Sequence, residues 1–129
     1  MTMRPNLTTT FHLTTTFHDT VSRCFADVLE TMLGRTVRIM ILDILETNGI
    51  SHTKISEEFS RVFEVLAKSF GASSRVVQHK TIAEVYREYS QKIDFGFYDK
   101  LDERLSLLRD KAIRSRLFPR HAGQEDTST

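Results

Sequence analysis

At 129 residues the chain is long enough for one hydrophobic core and too short for two ordinary ones. Its composition, 40% hydrophobic and 27% charged, excludes disorder as a description of the whole chain, and a net charge of +1 provides no field that would by itself draw it to nucleic acid or an anionic membrane. A single cysteine, Cys24, excludes an internal disulfide and fits a reducing, cytoplasmic setting.

The first 18 residues contain a tandem repeat. Leu7-Thr8-Thr9-Thr10-Phe11-His12 is followed at once by Leu13-Thr14-Thr15-Thr16-Phe17-His18. Six residues are too few for a solenoid unit. Clustered β-branched threonines favour a loose tail over a helix, so residues 1–16 are expected to be disordered. The tail lacks acidic residues and carries one arginine, Arg4, a weak match to a transit peptide; a secretory leader is not expected, for want of an apolar run. His12 and His18 are six apart and fall on different helix faces, a poor arrangement for a shared metal.

From Phe17 the pattern becomes helical. Val21, Cys24, Phe25, Val28, Leu29 and Met32 recur at steps of three and four, and Gly34 ends the segment. A second helix is expected from Arg35 to Thr47. Val37, Ile39, Met40, Ile41, Leu42, Ile44 and Leu45 cover most of its circumference, which predicts burial on most sides. Asn48-Gly49 closes it, and Ile50 is placed to fold back onto Leu45.

The third helix has the cleanest spacing: Ile55, Phe59, Val62, Phe63, Leu66, Ala67 and Phe70. Ser56, before Glu57 and Glu58, is the expected cap. Gly71 is the stop. Ser73 or Ser74 then caps a fourth helix with Val77, Thr81, Ile82, Val85, Tyr86 and Tyr89 inward. Residues 90–97 form a connection, and a fifth helix begins near Tyr98 or Asp99, with Leu101, Leu105, Leu108 and Ala112 as its stripe. Pro119 cannot continue that helix, and residues 119–129 are expected to be a disordered polar tail. The fold class is therefore all-α. One domain, residues 17–118, is a compact bundle of four to five amphipathic helices between two disordered tails. Phe25, Phe59, Phe63 and Phe70 are positioned to dominate its core.

The hydrophobic helix ending in Asn48-Gly49-Ile50, then Phe59, Phe63 and Leu66, then Phe70-Gly71, then Ile82 ahead of Val85-Tyr86, form a pattern. Between Gly34 and Tyr89 it resembles a family of small helical archaeal domains, the Nitrosopumilus output domain. The resemblance covers a little under half the chain. It implies a cytoplasmic output or signalling module and carries over no catalytic residue.

Chemistry leaves few marks. The five glycines are scattered singly, so no phosphate loop is present. No metal-binding CxxC, HExxH or EF-hand spacing occurs, and no cofactor or metal is expected. Cys24 lies on an apolar stripe, where a core thiol is expected rather than a nucleophile. His79 reads as a solvated or half-buried side chain, His52 as part of a polar turn with Ser51 and Thr53, and Glu57-Glu58 as a charge pair at a helix start. The chain is therefore expected not to be an enzyme.

Two surfaces are candidates for binding. Exposed aromatic residues at Phe95, Phe97 and Tyr98 would suit another protein or a second copy of this chain. Six basic residues, Arg104, Arg109, Lys111, Arg114, Arg116 and Arg120, stand against one acid, Asp110, and could form an edge for nucleic acid or an acidic partner. A solvated helix C-terminus explains the same cations through the helix dipole. No run of roughly 20 apolar residues exists to span a membrane, and no small-molecule substrate is indicated. The leading expectation is a protein-interaction or signalling module; the alternative is a nucleic-acid-associated transcriptional regulator using the basic C-terminal helix.

Overall fold

The computed structural model describes residues 7–121, with side chains from Thr9 onward. Five α-helices follow in order: α1 (Leu7–Leu33), α2 (Arg35–Thr47), α3 (Phe59–Phe70), α4 (Ser73–Glu88) and α5 (Leu101–Arg114), with a 3-10 turn at His52–Lys54. Among the described residues there is no strand. Nor is any helix among them long and apolar enough to cross a membrane.

The Thr-rich repeat is helical, which corrects the expected disordered tail from Leu7 onward; residues 1–6 lie outside the described residues. Two facts account for it. The apolar stripe of α1 extends back through Phe17 to Leu13, and both are buried. The Thr14 hydroxyl donates to the Thr10 carbonyl at 2.9 Å, and that of Thr20 to the Thr16 carbonyl at 2.8 Å, so these threonines spend their hydroxyls inside the helix. Burial then outweighs a propensity deficit of a few tenths of a kcal/mol per threonine. The domain thus begins at least ten residues earlier than the periodicity after Phe17 predicts.

Gly34 alone separates α1 from α2. Its φ of 92° lies in the region that glycine tolerates and other residues avoid, and its N–H donates to the Glu30 carbonyl at 2.9 Å. At the far end of α2, the Ile50 N–H donates to the Leu45 carbonyl at 2.8 Å and the Gly49 N–H to the Glu46 carbonyl at 2.9 Å. Gly49 has φ 82°. This is the Schellman arrangement, and Ile50 and Leu45 are both buried, as the Asn48-Gly49-Ile50 signature predicts.

The predicted caps of α3 and α4 are not where the structure puts those side chains. Helix α3 starts at Phe59, and Ser56 instead shares a 2.8 Å hydrogen bond with Nδ1 of His18 on α1. The Ser74 hydroxyl donates back to the Gly71 carbonyl at 2.8 Å rather than accepting from the helix start. Tertiary demand from a neighbouring helix and a tight turn outranks local capping at these two serines.

The central element is α4. Its neighbours are α1, α3 and α5. Ser74, Val77, Gln78, Thr81, Ile82, Ala83, Val85, Tyr86 and Glu88 are all buried. The core joins Val77, Ile82, Val85 and Tyr86 of these to Phe17, Val21, Phe25 and Leu29 of α1, to Phe59, Val62, Phe63 and Leu66 of α3, and to Leu101, Leu105 and Leu108 of α5. Phe63 meets Phe25 edge-on at 5.8 Å and Phe59 at 4.8 Å, favourable geometry for aromatic pairs. Phe70, expected in this group, is half-buried at its rim.

The chain after α5 also departs from expectation. Pro119 is buried, the Arg120 N–H donates to the Glu88 carbonyl at 2.6 Å, and the His121 N–H reaches the Glu88 carboxylate at 3.2 Å. Residues 119–121 are therefore docked, which corrects the expected tail at its start; residues 122–129 lie outside the described residues.

Candidate functional site

The predicted aromatic patch divides. Phe95 is a core residue, 7% exposed, packed edge-on against Tyr86 at 4.9 Å and against His79 at 5.5 Å. Its place in an exposed contact patch is corrected. Phe97 is half-buried beneath the Arg75 guanidinium, 5.5 Å above its ring. Arg75 also donates to the carbonyls of Phe97 at 3.0 Å and Asp99 at 2.7 Å, so one side chain of α4 fastens this connection. Tyr98 alone of the three stands in water, at 88% exposure.

By spacing, Arg104, Lys111 and Arg114 share one side of α5 and Arg109 stands apart from them. Arg104 and Arg109 flank opposite sides of the buried row Leu101, Leu105, Leu108 and Ala112. Arg104 turns inward: its guanidinium lies 6.0 Å over the Phe95 ring and 3.8 Å from Asp94, while its carbonyl accepts the Tyr86 hydroxyl at 2.7 Å. Arg109 borders a shallow cleft of about 340 Å³ shared with Glu57, Glu58 and Asp102, an acidic setting that opposes phosphate. Lys111 and Arg114 are exposed, and Arg114 donates to the Asp110 carbonyl on its own helix. Arg116 ends the helix in the left-handed conformation, φ 53°. In α5, Asp102 and Glu103 occupy the first turn and Lys111 and Arg114 the last, the order that the helix dipole favours.

A further open apolar surface lies on α2. Ile41 and Leu45 face inward and are buried. Ile39 is 47% exposed and Met40 44%, so the expected burial of α2 on most sides is corrected. The helix touches α1, the 3-10 turn and the edge of α3, and among the described residues its outer side stays exposed at Ile39 and Met40. Met32 and Leu33, the last residues of α1, are exposed beside it. Gly34 makes this adjacency: a one-residue turn brings the end of α1 alongside the start of α2. A groove of about 350 Å³, almost wholly apolar, opens between this corner and helices α3 and α4, lined by Leu33, Met40, Leu66, Phe70, Val76 and their neighbours. A second shallow depression, about 490 Å³, runs along Thr36, Ile39, Met40, Asp43 and Ile44. Met40 belongs to both.

The sequence carried one sign of this surface: a helix with apolar residues around most of its circumference has to cover more than one face, and Ile39 and Met40 of α2 are left exposed.

Some groups with chemical potential elsewhere serve the structure. Cys24 is buried, and its thiol is pushed up to about 12, chiefly by that burial, which keeps it protonated. The Ser51 and Thr53 hydroxyls bond each other at 2.9 Å, and Ser22 donates to the His52 carbonyl, the polar turn expected there. A cleft of about 420 Å³ between α1 and α4 holds Asp27, Thr31, His79, Lys80, Glu84 and Arg87, of which Glu84 and Arg87 pair with each other. Burial raises the Asp27 carboxyl, and His79 Nε2 has no hydrogen-bond partner among the described residues. Among the described residues, no three His, Cys, Asp or Glu side chains are grouped to hold a metal ion.

Together these features define an all-helical bundle with an uncovered apolar face on one helix, α2. No protein-family model matches the chain, and no curated protein or solved structure does.

Proposed function

We propose that this chain is a non-enzymatic interaction module of the signalling or output kind, working in the cytoplasm by presenting the outer face of α2 to another polypeptide. The observation that carries this reading is the pair Ile39 and Met40, left in water beside the exposed Met32 and Leu33. Burying one such side chain contributes about 1.5–3 kcal/mol, a gain that stays unrealised until something covers the patch. The rim supports the reading too. Thr36, Asp43 and Thr47 surround the apolar centre, the polar border usual for a contact that forms on a folded surface. The resemblance between Gly34 and Tyr89 points to the same class, and that span contains all of α2, α3 and α4.

A photo-crosslinking residue replacing Ile39 in the full chain, expressed in cells, tests it. Discrete polypeptide adducts are expected from position 39 and not from Glu103, an exposed position on α5. Equal yields from the two positions, or none at 39, overturn the reading.

A further inference from the structure

The α2 face has a charge pattern that indicates what covers it. Arg35 stands exposed in the first turn and Glu46 in the last, with Asp43 one turn before the end. This order opposes the helix's own dipole, which favours acids at the N-terminus and bases at the C-terminus. Helix α5 has the favourable order and α2 the reverse, with no acid in its first turn and no base in its last. Intrachain pairing does not compensate. Arg38 is taken by Glu30 at 3.2 Å, but Arg35, Asp43 and Glu46 form no ion pair among the described residues.

A strip that is basic at one end, apolar at the middle and acidic at the other is complementary to itself turned end for end. We propose that the occupant of this face is a second copy of the chain, with the two α2 helices packed antiparallel across a two-fold axis. Arg35 of each copy then faces Glu46 of the other, and Ile39 and Met40 of both copies meet near the axis. An isologous contact makes every pairing twice, so the two ends of the strip are satisfied together. The dipoles of the paired helices also run in opposite directions, and each Arg35 gains the acidic C-terminal end of the opposite helix that its own helix denies it. The inference rests on the reading of α2 as the contact face and adds the partner and its orientation.

Sedimentation of the full chain over a range of concentrations, with charge-swapped variants, tests it. A monomer–dimer equilibrium is expected for the wild type. Ile39→Glu abolishes the dimer. Arg35→Glu or Glu46→Arg alone places like charges opposite each other at both ends and weakens self-association roughly tenfold. The double variant Arg35→Glu/Glu46→Arg restores it, and an equimolar mixture of the two single variants forms heterodimers in preference to either homodimer. Met40→Cys gives a disulfide-linked dimer on mild oxidation and Ser106→Cys does not; the native Cys24 is buried and does not compete.

A wild type that stays monomeric throughout overturns the second copy as occupant. If position 39 nonetheless crosslinks to a different polypeptide, the interaction-module reading survives. A dimer lost with Ile39→Glu but indifferent to both single charge reversals overturns the antiparallel arrangement. A monomer with no adduct at position 39 overturns both readings together.

Discussion

The Glu88 carboxylate accepts the Arg23 guanidinium at 3.1 Å across the α1–α4 interface and, on the same oxygen, the backbone N–H of His121 at 3.2 Å. Its other oxygen pairs with Nδ1 of His121. One buried acid therefore joins the first helix, the central helix and the segment after α5. Glu88→Ala removes three charge-assisted contacts from a buried position and is expected to cost about 2–3 kcal/mol. Urea denaturation measures that loss. Amide exchange locates it: the His121 amide loses protection, while the Leu117 amide, held by the Ala112 carbonyl at 2.8 Å, keeps it.

The fold should weaken in mild acid through His18. Its ring is held below its ordinary value of 6.5, first by burial; Arg109 and Lys54 add to the effect, while Glu57 and Asp19 oppose it. The folded state thus binds its proton less readily than the unfolded state does. Stability from this group is fully present above the ordinary histidine value and is lost as pH falls from there through the lowered value of the folded state. The urea midpoint at pH 7.5 is expected to exceed that at pH 5.5, and the difference to shrink in His18→Asn. An unchanged difference in that variant would assign the acid sensitivity to other groups.

Helices α4 and α5 end in Schellman arrangements whose left-handed position is not glycine. Ser90 has φ 57° and Arg116 φ 53°. The Gln91 N–H reaches the Tyr86 carbonyl at 2.9 Å, and the Leu117 N–H the Ala112 carbonyl at 2.8 Å. A side chain in this region is strained, so Ser90→Gly and Arg116→Gly are each expected to stabilise by about 0.5–1 kcal/mol. Thermal melts should rise by roughly 2–6 °C for each and add in the double variant. Gly49→Ala, at φ 82°, should move the melt the other way.

Arg104 and Lys111 separate a structural cation from a solvated one. Arg104 covers the Phe95 ring and Lys111 is exposed. Arg104→Ala is expected to destabilise by about 1 kcal/mol, whereas Lys111→Ala stays within about 0.5 kcal/mol. Equal melting temperatures for the two variants would show that the contact over Phe95 contributes nothing.

Local patterning was sufficient where one segment carried its own signal. The Gly34 break, the Asn48-Gly49-Ile50 closure and the Leu101–Ala112 stripe appear in the structure as read, and so do Phe59, Val62, Phe63 and Leu66 of the α3 stripe, whereas Ile55 lies ahead of that helix and Ala67 is exposed. Each depends on residues close in sequence, and helix periodicity and left-handed caps are local physics. The site was not legible in the same way. Phe95 looked like a surface aromatic until Tyr86, His79 and Arg104 closed around it, three residues from two different helices.

The amino-acid order by itself determined that this chain is helical and where most of its helices stop. Only the tertiary structure decided which faces water reaches. It buried α4, whose polar residues hid its centrality, and left bare the outer side of α2, where Ile39 and Met40 stand exposed. It also drew the Thr-rich repeat into α1. The physical reason is common to all three. Burial is set by which elements happen to be neighbours, and a side chain's own hydrophobicity says how much is gained by covering it, not whether anything does.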